Sequence, residues 1–217
     1  LFNKSMIKSL EKEFFCYNGV MLPQYLTLIS IPLGLVGSIL YIRDMYRGTA
    51  KPNRVSFFLW SLAPIIGVAI AFGEGVRWSL VPIFMAGFSP LLVFVFSFVV
   101  KQGFWKLQKL DYVCGFFSVV ALFLWLVMDV PILAFVFAVA ADLFASIPTI
   151  LKAWKHPESE SPFIYLLPLV GHITNLLVIT TWAVTYYGFS IYIIAANTSI
   201  LFGIYQYKLF HKKADSV

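Results

Sequence analysis

The chain is short of charge. Only 12% of its 217 residues are Asp, Glu, Lys or Arg, where a water-soluble domain carries about 25%. It is instead 60% hydrophobic and 18% aromatic, with a mean hydropathy of +0.86. A soluble fold of this length could not hide so much apolar surface, so a bilayer is expected to be the solvent for most of the chain. Cysteine is scarce as well, with Cys16 and Cys114 alone. No CxxC pair and no Cys/His cluster is present, which argues against a metal site, and one pair of cysteines founds no disulfide framework. Acids are outnumbered, ten against sixteen Lys and Arg, for a net charge of +6. In a soluble protein that balance points to nucleic acid. Here the cations sit in short loops between apolar runs and read as topology signals, so no nucleic-acid partner is expected. Catalytic signatures are missing too. There is no HExxH, no GxSxG and no paired intramembrane Asp, and no cofactor is implied. A retinal protein would place a Lys midway along its last helix, whereas Lys208 sits at the end.

What is present is a series of apolar runs. A membrane-spanning helix needs about 20 mostly apolar residues. Seven segments qualify: 20–42, 53–73, 76–99, 111–128, 130–153, 162–183 and 187–209. No long polar linker separates them, which makes 20–217 one domain. Period-two alternation, the mark of a membrane barrel, is absent from runs such as Leu91–Phe96 and Val119–Leu124, so the fold class is all-α. Residues 1–19 differ. Phe2, Met6, Leu10 and Phe14 recur every fourth position, with Lys4, Lys8, Glu11 and Lys12 on other faces. That pattern reads as an amphipathic helix lying at the membrane interface, with a frayed terminus as the alternative.

Lys and Arg set the orientation. Arg43, Arg47, Lys51 and Arg54 follow the first helix, Lys101, Lys106 and Lys109 the third, Lys152 and Lys155 the fifth, and Lys208, Lys212 and Lys213 the last. Every second loop is basic, which places those loops and the C-terminus in the cytoplasm and the N-terminus outside. Glu74 and Arg77, in an outer loop, read as a solvated surface pair in preference to a gate pair. Glu158 and Glu160 offset Lys152 and Lys155 in an inner one.

Shifting the chain by 108 residues lays the first three helices on the last three without a gap. Pro23 falls on Pro131, Leu35 on Leu143, Ser38 on Ser146, Ile39 on Ile147, Ile42 on Ile150 and Leu59 on Leu167. Both basic loops and all three helix starts align together. The expected architecture is therefore a polytopic membrane protein of seven transmembrane helices. Two parallel triple-helix bundles (repeat 1 about 20–100, repeat 2 about 130–209) are joined by a linker helix at about 111–128.

A 3+1+3 chain of this size resembles the SWEET/PQ-loop superfamily over nearly its whole length from residue 20. Ser146-Ile147-Pro148-Thr149-Ile150-Leu151-Lys152-Ala153-Trp154 is similar to a degenerate PQ motif with its basic loop, Thr149 standing where the family has Gln. Lys51-Pro52-Asn53-Arg54-Val55-Ser56 leading into Phe57-Phe58-Leu59-Trp60 is similar to the start of that family's second helix. The first-half PQ position reads Leu40-Tyr41, a departure, and Pro23-Gln24 lies at the wrong end of its helix. The resemblance implies a transporter whose helix prolines, here Pro32, Pro64, Pro148 and Pro168, let helices flex around a central cavity. The family's paired Trp and Asn substrate residues do not map: Trp60 has Pro168 as its repeat partner, and Asn197 has Ser89.

Three helix centres carry chemistry. Asp142 is the single acid well inside a predicted helix. A charge there costs about 2.5–3.5 kcal/mol on insertion scales, so it must face the bundle interior, be paired or be protonated. It is either a substrate or proton site or an interhelical hydrogen bond. His172, with Thr174 and Asn175 nearby, is a proton partner or a satisfied core residue. His172 and Asn175, three apart, share a face. Asn197 is placed to bind a solute hydroxyl or amide, or to glue helices together. Trp60, with Ser61 and Tyr192, forms a second tier, reading as a stacking platform or as packing. The repeat equivalents of Asp142, His172 and Asn197 are Gly34, Pro64 and Ser89, so the second half supplies functional groups and the first half shape.

The expected function is transport of a small polar solute, sugar-like or vitamin-like, by alternating access, with proton coupling through Asp142 as a variant. The alternative is a receptor or interaction protein on the same fold without solute flux. Cargo capture through a carboxylate would need a cationic pocket, and Lys and Arg cluster at helix ends instead.

Overall fold

Backbone groups in an apolar run find few side-chain partners, so such runs close their hydrogen bonds on themselves as helices. A computed structural model describes residues 30–73, 80–100, 105–178 and 184–211, with the pairs 16–17 and 20–21. Among these residues lie seven α-helices: α1 Ser30–Tyr46, α2 Arg54–Gly73, α3 Leu80–Val99, α4 Lys109–Val127, α5 Pro131–Lys155, α6 Phe163–Val178 and α7 Val184–His211. Each falls within one predicted apolar run or overhangs it by a few residues.

The N-terminal reading needs correction. Cys16–Tyr17 forms β1 and Val20–Met21 forms β2, paired antiparallel with Cys16 opposite Met21 and Tyr17 opposite Val20. The predicted first helix therefore does not begin at residue 20, and the predicted amphipathic helix does not reach 19. Pairing Tyr17 with Val20 leaves only Asn18-Gly19 between the strands, the dipeptide that favours a two-residue hairpin loop over a helix. The remainder of 1–19 lies outside the described residues.

Elsewhere helix ends follow local chemistry. Past α1, Gly48 takes a φ of +73°, a left-handed conformation that glycine adopts without a Cβ penalty. The following Thr49 and Ala50 amides donate to Asp44 O at 3.0 and 3.1 Å. At the head of α2, Asn53 Oδ1 accepts the Val55 and Ser56 amides at 3.1 and 3.4 Å, satisfying donors the first helical turn leaves open. One residue past α5, after His156, Pro157 opens a 3-10 turn, Pro157–Ser159, and Lys152 and Lys155 occupy the last helical turn, where cations suit the negative end of the helix dipole.

The helices pack in two matching sets. In the first half α3 lies against both α1 and α2; in the second, α7 lies against both α5 and α6. Across the halves α1 meets α6 and α2 meets α5, while α4 covers α5 and touches α2. Contact between α1 and α3 is close because position 34 is glycine: a Cβ there would stand 2.7 Å from Ser89 Oγ and 2.8 Å from Met85 Cε.

Among the described residues three helices are long and apolar enough to cross a membrane, namely Lys109–Val127, Ile132–Lys155 and Tyr187–Gln206. The distribution of side chains fits such a solvent. Tyr112, Val113, Phe116, Phe117, Val119 and Phe123 of α4 are exposed, while Ser38, Ser56, Ser97, Thr149 and Lys152 are buried. A water-soluble fold arranges these classes the other way.

Candidate functional site

Asp142 and Ser146 are four residues apart in α5 and so share one face. Tyr192 of α7 donates its hydroxyl to Asp142 Oδ2 at 2.6 Å, and Ser146 Oγ donates to the same oxygen at 3.2 Å. Tyr192 Oη and Ser146 Oγ are also 3.2 Å apart. From α2, Trp60 Nε1 donates to Ser146 Oγ at 3.2 Å. Three helices from both halves thus converge on one carboxylate through neutral donors, and among the described residues Oδ1 accepts no hydrogen bond. Trp60 is braced edge-on by Phe57 and Tyr165, with ring centroids 5.3 and 6.4 Å away. Such a site can bind a proton, a cation or a hydrogen-bond donor.

The structure brings Asp142 together with Trp60 and Tyr192 of the second tier, and it adds Ser146. The sequence hinted at Ser146 only as a repeat match to Ser38. His172 lies apart. Its Nδ1 is 3.1 Å from Ser190 Oγ, and its ring faces Phe189 at 6.2 Å. Phe189 in turn stands 5.9 Å from Tyr192, so a single ring separates His172 from the carboxylate cluster. Asn197 turns to its own helix, donating Nδ2 to Ile193 O at 3.0 Å. Ser89 is buried between α3 and α1, its carbonyl accepting Ser38 Oγ at 3.1 Å. The side chain of Asn175 lies outside the described residues. Pro64, Pro148 and Pro168 are inside their helices, and Pro90 of α3 joins them. Pro32 stands in the first turn of α1 as described.

A second polar cluster lies at the end bearing the α1–α2 and α5–α6 loops; the sequence offered Glu158 and Glu160 as offsets to Lys152 and Lys155, but not the tyrosines and loop carbonyls that join them. Lys152 Nζ pairs with Glu160 Oε1 at 2.6 Å, the two side chains 1% and 0% exposed. The other Glu160 oxygen accepts the hydroxyls of Tyr41 at 2.8 Å and Tyr165 at 2.7 Å. Lys152 also donates to Lys51 O, and to Ser159 O at 3.3 Å. The Lys51 amide donates to Ser159 O at 2.8 Å, and Ser161 Oγ to Asp44 Oδ2 at 2.8 Å. Trp105 lies over the ammonium, its ring centroid 5.1 Å away. The unexpected Tyr41 of the first-half PQ position is therefore a ligand of a buried acid. Nearby, Asn53 Nδ2 donates to Asp111 Oδ1 at 2.7 Å, tying the head of α2 to that of α4. No family model, curated protein or solved structure matches the chain.

Proposed function

We propose that the chain is a seven-span transporter of a small polar solute, a divergent relative of the SWEET/PQ-loop proteins. Helices α1–α3 and α5–α7 form its two bundles, α4 links them, and the C-terminus is cytoplasmic. Rocking of the bundles would expose a mid-membrane site alternately to either side. The observation that carries this reading is the Asp142 cluster, in which one acid inside an apolar helix is shared by α2, α5 and α7.

Two further features support it. The matching packing orders, with α3 central in one half and α7 in the other, fit a parallel repeat. So do Ser38 and Ser146, which occupy equivalent positions and both donate one turn back along their helices, Ser38 to Gly34 O at 3.0 Å and Ser146 to Asp142.

The test is a thermal-shift screen of the purified chain against sugars, vitamins, nucleosides and amino acids, followed by flux of any hit into proteoliposomes. A ligand at about 100 times its dissociation constant adds about 2.7 kcal/mol to the native state. The expected result is a stabilising solute that is carried across the bilayer and loses both effects in Asp142→Asn. Binding without flux would replace the transporter by a receptor.

A further inference from the structure

Resting on that transport reading, we propose that the solute carries a positive charge on nitrogen, and that Asp142 Oδ1 receives it. Among the described residues every Lys and Arg lies near a helix end or in a loop, so none of them neutralises this carboxylate at its own depth. Its partners, Tyr192 and Ser146, are neutral and both bind Oδ2. They orient the group while the other oxygen stays unengaged among the described residues. With a neutral solute the group must take up a proton or remain an uncompensated charge in an apolar surrounding; a cation lets it bind ionised.

The full-length purified chain would be titrated with choline, putrescine and agmatine. The controls are the uncharged isostere of choline, with carbon in place of nitrogen, the diol matching putrescine, and glucose. At least one cation should raise the melting temperature by several degrees, its neutral counterpart should not, and Asp142→Asn should abolish the shift. Equal stabilisation by glucose or a neutral isostere, lost in Asp142→Asn, would overturn the cation assignment while leaving transport standing. No response to any compound would overturn both.

A separate observation carries a second inference: the Lys152–Glu160 pair is a latch that holds the loop end closed and must part when that end opens. Its bonds cross between the halves. Glu160, in the α5–α6 loop, takes Tyr41 from α1, and Lys152 of α5 takes Lys51 O from the α1–α2 loop. Lys51 and Ser159, joined backbone to backbone at 2.8 Å, are equivalent under the 108-residue shift, so the loops meet where a repeat axis would run. Beneath the pair, one turn deeper on the same face of α5, Thr149 is fully buried and its hydroxyl has no partner among the described residues.

Thr149→Cys makes that position a reporter for a thiol reagent that cannot cross bilayers, and buried Cys114 serves as an internal control for unfolding. In Tyr41→Phe/Tyr165→Phe, which strips two donors from Glu160 but leaves the ion pair, labelling of Cys at 149 should quicken about tenfold, with Cys114 unchanged. Lys152→Met/Glu160→Gln should go further. Unchanged labelling in both variants, or a parallel rise at Cys114, would overturn the latch.

Discussion

Lys152 and Glu160 show what burial does to a charge pair. Each ion gives up its water on entering the loop end, and the pair recovers that cost only because every oxygen of Glu160 is used: Lys152 on one, Tyr41 and Tyr165 on the other. Removing one partner strands the other. Lys152→Met alone is expected to destabilise by about 3–5 kcal/mol, and adding Glu160→Gln, which keeps an acceptor for the tyrosines, should restore much of the loss. Denaturant unfolding of the single and double variants in detergent decides it; additive losses would mean that the two side chains do not act as a pair. Asp142 is a different case, since its neighbours are hydroxyls rather than an ion. Asp142→Asn keeps the shape and an acceptor for Tyr192, so stability should change by no more than about 1 kcal/mol while solute binding is lost. A variant that unfolds instead would make Asp142 an interhelical strut. Asp142 and Trp60 were legible as candidates because an acid and a large aromatic stand out in apolar helices. That they meet through Ser146 was not, since hydropathy places a residue in depth but leaves open how each helix is turned about its axis.

At the scale of the element, glycines separate space from conformation. Gly34 sits where α1 touches α3, and a Cβ would collide with Ser89 and Met85. Gly34→Ala should cost about 1–3 kcal/mol through overpacking. Gly67 in α2 has nothing within 4 Å of such a Cβ, so Gly67→Ala should be neutral or stabilising by up to about 1 kcal/mol through helix propensity. Gly34→Ala should lower the melting temperature and Gly67→Ala should not; equal losses would contradict the α1–α3 contact. Helix identity itself was readable, because runs rich in Leu, Ile, Val and Phe leave the backbone no alternative to its own hydrogen bonds. The N-terminal hairpin was missed. There the period-four spacing of Phe2, Met6, Leu10 and Phe14 and the apolar run beyond residue 20 drew attention away from Asn18-Gly19, a two-residue turn signal that acts locally.

For the whole molecule, the transport reading makes a topological prediction. Glu158 is exposed in the α5–α6 loop, 61% by side-chain area. In vesicles of known orientation, Glu158→Cys should react with an impermeant thiol reagent from the cytoplasmic face alone, as the alternation of basic loops requires. Labelling from the opposite face would invert the topology and place the Lys152–Glu160 cluster at the outer end.

The amino-acid sequence alone determined the apolar composition, the helical runs, the alternating basic loops and the 108-residue self-similarity, because each depends on residues near one another in the chain or on their average. The tertiary structure alone decided which faces meet. It set α3 and α7 at the centres of their halves, turned Asn197 back to its own helix, joined Trp60, Ser146, Asp142 and Tyr192, and closed Tyr41 and Tyr165 over Glu160, a partner 119 residues from Tyr41. Such contacts follow from helix rotation and packing between distant segments, which no local pattern of apolar and polar residues encodes.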